Sequence, residues 1–305
     1  DNVKSKQYIK EMVFLDPRLY GADSRIDDYM LQVYNKQNGE ATYEGLSQSF
    51  LDIETDVLKC VGNDIQSRRY QPIYLSSCYN DKANKLTIDY LIDNCYANQA
   101  PIIKDPDGFI KRVKENLITE LKNNEKLQHK DFDTIRPRIE EIFSNFNVVI
   151  RGHNDEKELI KANWQEVMRV DKPNFLQIYN ADYDVSQSYM RYIELGGDPA
   201  DLFTNPEIGN YVSLYCKSIR QYNGTYRPPR EAKFKPTNEP QSYNTSSYTK
   251  ILDMQVTHFG LRTKEQDSYK LDDTCRREIG FSKLDYSGVV DDVFRLPYVD
   301  FALTV

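Results

Sequence analysis

The apolar pattern changes its period partway along the chain, and that change limits what the chain can fold into. In the first part the apolar runs are short and strand-like. Ser47–Glu54 reads as a strand ending in carboxylates, with Phe50, Leu51 and Ile53 as its apolar residues. Tyr74–Tyr79 and Lys85–Leu91 flank a turn at Asn80-Asp81-Lys82, which predicts an antiparallel hairpin. Further on the spacing becomes helical: Phe109, Ile110, Val113, Leu117 and Leu121 predict a helix over 108–121, and a second is expected over 133–143. Phe146–Ile150 reads as a fourth strand. Asp155-x-x-Glu158 is a capping box, and the helix it opens carries Leu159, Ile160, Trp164, Val167 and Met168 on one face. A fifth strand at Phe175–Tyr179 leads to a helix over 185–195, closed by Gly196-Gly197. The order β-β-β-α-α-β-α-β-α gives the α/β class, a mixed sheet flanked by helices.

Residues 221–249 interrupt this pattern with Pro228-Pro229, Pro236, Pro240 and many Ser, Thr and Asn, and read as a long loop insertion. Regular structure is expected again at Lys250–Val256, followed by a polar helix over 269–279. The expected domain therefore runs from 47 to 305. Residues 1–46 form an N-terminal extension, too short to bury a core of its own and expected as edge strands of the same sheet. The chain starts at Asp1 with no Met and no signal-peptide pattern, which suggests a trimmed chain or a piece of a longer one.

Composition narrows the class of function. Hydrophobic residues make up 39% of 305, and 23 Tyr and 13 Phe add large buried area, so a packed core is affordable. No run of about 18 apolar residues exists, so no membrane span is expected. The five Cys lie at 60, 78, 95, 216 and 275 with no Cys-x-x-Cys pair, which predicts reduced thiols, Cys60 structural among them, and a cytoplasmic location. Three scattered His leave few candidates for a His-based triad and no metal spacing. A net charge of −7 argues against binding nucleic acid by bulk charge, but allows an acidic cleft that meets DNA through divalent metals.

Two acidic segments stand out. Asp52-Ile53-Glu54 places two carboxylates on one face of a strand, about 7 Å apart, a spacing that suits a shared pair of divalent ions. About seven acid-x-acid triplets are expected by chance in this composition, and the apolar setting is what lifts this one above an edge-strand coincidence. The second is Asn180-Ala181-Asp182-Tyr183-Asp184, where a strand meets a helix. Asp184 has two readings: an N-cap with Gln187 completing a capping box, or a third acid facing the same cleft as Asp52 and Glu54.

With these residues the chain resembles the 3′–5′ exonuclease domain of bacteriophage-type family B DNA polymerases. The first exonuclease motif of that family is matched by Asp52-Ile53-Glu54-Thr55, and the second, Asn-x-x-(Phe/Tyr)-Asp, by Asn180 to Asp184. Weaker likenesses follow in the family's order: Asp155–Ile160, Tyr189–Pro199, Ser268–Asp272 and Lys283–Tyr286. The resemblance implies a ribonuclease H-like fold, with Asp52, Glu54 and Asp184 holding two Mg²⁺ or Mn²⁺ ions for phosphodiester hydrolysis. It further implies that Thr55, Asn180 and Tyr183 contact the 3′ end of a single strand or primer-template. A palm-bearing polymerase segment or chain, and other replisome proteins, are the implied partners. The family's third motif, Tyr-x-x-x-Asp, does not occur between Lys283 and Val305. A split-gene subunit or fragment, completed elsewhere and weak as a nuclease alone, is the expectation; a shortened chain and an inactive remnant are the alternatives. Arg220, Arg227, Arg230, Lys233 and Lys235 among Tyr222, Tyr226 and Phe234 suit single-stranded DNA, against the plainer reading of a solvated loop. Two other functions stay open: a non-catalytic DNA- or polymerase-binding module, and a stand-alone exonuclease of the same superfamily.

Overall fold

A computed structural model describes residues 45–56, 64–91, 144–227, 241–261 and 268–278, with isolated positions besides. The chain divides into two compact units, Asp1–Gly45 and Leu46–Val305. The first lies outside the described residues except for Lys36 and Gly45, and with it the expected N-terminal edge strands. Everything below concerns the second.

Strand β1 is Gln48–Thr55, helix α1 is Ile65–Arg68, and the hairpin is β2, Ile73–Asn80, with β3, Lys85–Leu91. The expected strand at 146–150 is β4, Asn147–His153. Of the two helices expected over 108–121 and 133–143, only isolated helical positions are described. Helix α2 is Glu156–Gln165, continued by a π-helical turn at Glu166–Asp171. Then come β5, Phe175–Ile178; α3, Ala181–Glu194; α4, Ala200–Phe203; β6, Val212–Tyr215; and α5, Lys217–Tyr222. The last elements are β7, Ser242–Thr245; β8, Lys250–Asp253; α6, Met254–Leu261; and α7, Leu271–Glu278.

Six strands form one sheet in the order β4-β3-β2-β1-β5-β8. β1, β2 and β3 are antiparallel neighbours, whereas β4 runs parallel to β3, and β5 and β8 extend parallel from β1. The sheet is mixed and flanked by helices, as the order of periods predicts. The insertion expected as loop over 221–249 is corrected in part. Gln221 and Tyr222 close α5, and Ser242–Thr245 pairs antiparallel with β6 in a separate two-stranded sheet. Its polar Ser-Tyr-Asn-Thr sequence hides a strand whose partner lies about thirty residues earlier. Residues 228–240 lie outside the described residues.

The core forms where α2, α3 and α4 meet the sheet. Leu51, Ile53, Leu159, Ile160, Trp164, Val167 and Met168 are all buried, and Trp164 meets Phe203 edge-on with ring centroids 4.6 Å apart. Asp155 caps α2, accepting from the Lys157 and Glu158 amides. The apolar setting expected around Asp52 and Glu54 is corrected in part. Ser49, Leu51, Ile53 and Thr55 are buried, whereas Phe50 is exposed and Asp52 and Glu54 are half-buried, the alternation of a strand with one face on the core.

Helix α3 ends in a Schellman motif. The Gly197 amide donates to Tyr192 O at 2.7 Å and the Gly196 amide to Ile193 O at 2.8 Å, with Gly196 at φ +72°. A Cβ on Gly197 would lie 2.2 Å from the fully buried Tyr192 ring. Gly197→Ala should therefore destabilise the fold by about 1–3 kcal/mol through overpacking, read as a lower urea midpoint at unchanged slope. Among the described residues, no helix is long and apolar enough to cross a membrane.

Candidate functional site

Because β1, β5 and β8 run parallel, their C-terminal ends share one edge of the sheet, where ligand crevices of open α/β sheets lie. Asp52 and Glu54 sit near the end of β1, and its register shifts between Glu54 and Thr55, a local irregularity of the kind that re-aims side chains beside functional sites. β5 leads through Asn180 into α3, and β8 ends at Asp253 and leads directly into α6.

The start of α3 excludes the N-cap reading of Asp184. The helix begins at Ala181, four residues before the expected start, and Asn180 occupies the N-cap position without a side-chain cap bond. The Asn180 carbonyl accepts from the amides of Tyr183, 2.8 Å, and Asp184, 3.1 Å. Asp184 is thus a first-turn residue, not an N-cap, and the capping box with Gln187 does not form. Gln187 instead donates to the carbonyls of Arg68, 2.9 Å, and Gln71, 3.1 Å. Asp182, two positions before Asp184, takes a structural role: it accepts from the Ser218 amide, 2.9 Å, and hydroxyl, 3.1 Å, at the first turn of α5.

Asp184 is only 5% exposed. Burial pushes its carboxyl well above the ordinary aspartate value of 3.8, and the charges of Asp52, Glu54 and Asp253 push it further, with Arg68 opposing them weakly. Within the expected trio, the charges of Asp52 and Glu54 thus reach Asp184. Asp253 joins it, a residue sequence reasoning passed over. Its carboxylate accepts from the amides of Ala181, 3.1 Å, and Val256, 3.0 Å, and so caps the starts of both α3 and α6. Only its place at the end of an apolar run hinted at this. Carboxylate oxygens at one sheet edge, one of them desolvated, are hard donors of the chemical type that suits Mg²⁺ or Mn²⁺. Among the described residues, however, no three Asp, Glu, His or Cys side chains form a ready-made ligand cage.

The raised carboxyl has a consequence for stability. Folding with a protonated Asp184 is favourable below the unfolded value of 3.8, and that contribution is lost as pH rises through the raised folded value. Asp184→Asn should therefore raise the melting temperature of the metal-free protein at neutral pH. The gain should shrink to nothing as the buffer is taken below about pH 4, measured by circular dichroism across a pH series.

Tyr183 and Thr55 meet, their hydroxyls 2.8 Å apart. Thr55 is buried, while Asn180 is exposed at the mouth of the strand end. The Arg68 guanidinium stacks on the Tyr183 ring, 4.3 Å from its centroid. Its Nε and Nη2 are shielded from water and make no hydrogen bond, an arrangement that costs about 1–3 kcal/mol for each such group. Nothing in the sequence distinguished Arg68 from its neighbours.

The basic residues of the expected DNA-binding segment are brought only partly into view. Arg227 is exposed, and Arg230 lies outside the described residues. Arg220 stacks on both Tyr215, 4.9 Å, and Tyr226, 5.2 Å, with Lys217 over Tyr226 at 5.9 Å, so part of the basic–aromatic interleaving is internally satisfied. Among the described thiols, Cys78 and Cys216 are buried, and burial pushes the Cys78 thiol up to about 12. No protein-family model matches the chain, and no curated protein matches it.

Proposed function

We propose that the chain is a metal-dependent 3′–5′ exonuclease module of the kind attached to family B DNA polymerases, acting on the 3′ end of single-stranded DNA or a primer-template. The observation that carries this reading is the gathering of Asp52, Glu54 and Asp184 at one sheet edge, with Asp184 desolvated and pressed by its neighbours' charge. The strand order and directions are compatible with a ribonuclease H-like fold, which the motif resemblance implies independently.

In this reading Asp52, Glu54 and Asp184 would hold two divalent ions. Those ions, when bound, would activate a water and stabilise the departing 3′ oxygen. The chain's own residues position the rest. Gln187 clamps the carbonyls of Arg68 and Gln71 against α3, and Asp253 fixes the α3 start that carries Asp184. Tyr183, tied to Thr55, presents its ring beside the acids, and exposed Asn180 is available to a strand end. Arg227 and Arg230 would contact the single strand.

The test is shortening of a 5′-labelled single-stranded oligonucleotide with Mn²⁺. It is run with the chain alone and with a polymerase segment carrying a Tyr-x-x-x-Asp pair. Stepwise loss from the 3′ end that vanishes in Asp52→Ala supports the reading. Oligonucleotide binding with no shortening under either condition would favour a non-catalytic module, and a preference for RNA would favour a stand-alone exonuclease.

A further inference from the structure

We infer that Arg68 is the phosphate-binding residue of this site: its guanidinium, stacked on Tyr183 beside Asp184 with two nitrogens lacking any acceptor, receives a non-bridging oxygen of a nucleotide phosphate. The inference rests on the exonuclease reading and adds to it the group that recognises the phosphate.

Three features carry it. First, the fork is unfilled. Nε and Nη2 have no hydrogen-bond partner, although a guanidinium is shaped for bidentate capture of an oxyanion. Second, it is held in place. Asp64 caps the short helix α1 that ends in Arg68, accepting from Gln66 and Ser67. α3 grips the backbone beyond it through Gln187 to Arg68 O and Gln71 O, and through Arg191 to Arg69 O at 2.8 Å. The same helix carries Asp184 and Tyr183, so the cation and the acid cluster are fixed to one another. Third, it stands where a phosphate needs a countercharge. Carboxylates repel an incoming phosphodiester, and the neighbouring cation offsets part of that repulsion. Arg191, by contrast, already has its guanidinium on Glu156 and the Arg69 carbonyl.

The experiment uses the full chain and compares Arg68→Gln and Arg68→Lys with the unaltered protein. Affinity for thymidine 5′-monophosphate is measured in Ca²⁺, and Mn²⁺ affinity separately by its paramagnetic resonance signal. Arg68→Gln should weaken nucleotide binding by about tenfold or more, with Mn²⁺ affinity unchanged or tighter because a competing cation is gone. Arg68→Lys should recover part of the loss. If the unaltered chain binds Mn²⁺ and nucleotide and Arg68→Gln binds both equally well, Arg68 has no such role while the exonuclease reading stands. If Arg68→Gln loses Mn²⁺, nucleotide and thermal stability together and Arg68→Lys rescues none of them, its role is structural and the inference is overturned. If the unaltered chain binds neither ligand, both readings fall.

Discussion

Asp52→Ala is expected to slow 3′-end shortening of single-stranded DNA by about a hundredfold or more. Stabilisation of transition-state charge by bound divalent ions is worth several kcal/mol, and each 1.4 kcal/mol, roughly, is a factor of ten. The fold should not suffer. Asp52 is half-buried on the face of β1 away from the core, and its charge raises the cost of ionising Asp184. Removing it relieves a repulsion, so the melting temperature of the metal-free variant should match or exceed that of the unaltered chain. Glu54→Ala should behave alike, and the double variant should lose little more than either alone, since ligands of a shared ion act as a unit. A full rate in Asp52→Ala would remove the catalytic assignment. A rate lost in step with the melting temperature would reassign Asp52 to structure.

The largest effect on stability is expected two strands away from β1, on β3. Asp89 on β3 is fully buried. It receives Arg151 through Nε, 2.7 Å, and Nη2, 2.8 Å, sits 2.7 Å from His153 Nε2, and accepts from Asn163 at 3.0 Å. Burial pushes its carboxyl up, but the hydrogen bonds from His153, Arg151 and Asn163 outweigh that and hold it below the ordinary aspartate value. Asp89→Ala strands its partners and should cost about 3–5 kcal/mol in urea unfolding. Since the folded value is depressed, the stabilisation is present above the unfolded value of 3.8 and is lost as pH falls through the folded one. The acid side of the stability profile should flatten in the variant. A loss below about 1 kcal/mol would mean that solvent already screens this cluster.

Much of the fold was legible because its signals are local. The strand-like runs of β1 to β3, the Asp155 cap of α2 and the glycine stop of α3 depend on residues within a turn or a strand of one another. The Asp184 capping box was misread for the opposite reason. The Ala181 amide finds its acceptor in Asp253, 72 positions away, so the helix starts earlier than its own sequence suggests. The same distance hid Asp253 as a neighbour of the acids. Strand β7 was missed because Ser242–Thr245 carries no apolar alternation and owes its extended form to pairing with β6. Arg68 was invisible because its stacking on Tyr183 depends on α3 lying across a different segment. The Asp89 cluster joins β3, β4 and α2, three elements that no local pattern relates.

The π-helical turn after α2 does more than lengthen a helix. Its amide bond from Lys172 reaches back five residues, to Val167 O at 2.9 Å, so positions five apart come round to the same side. Glu166 and Asp171 are such a pair, and both grasp Lys85 Nζ, at 2.7 and 2.5 Å, from opposite ends of the widened turn. An ordinary α-turn would advance Asp171 by about 500° from Glu166, some 140° around the axis, and one prong would miss. The extra residue acts as a spacer that sets the gauge of a tongs closing on the first residue of β3. A lineage that deleted it would keep the helix and lose the grip on the sheet's outer strands.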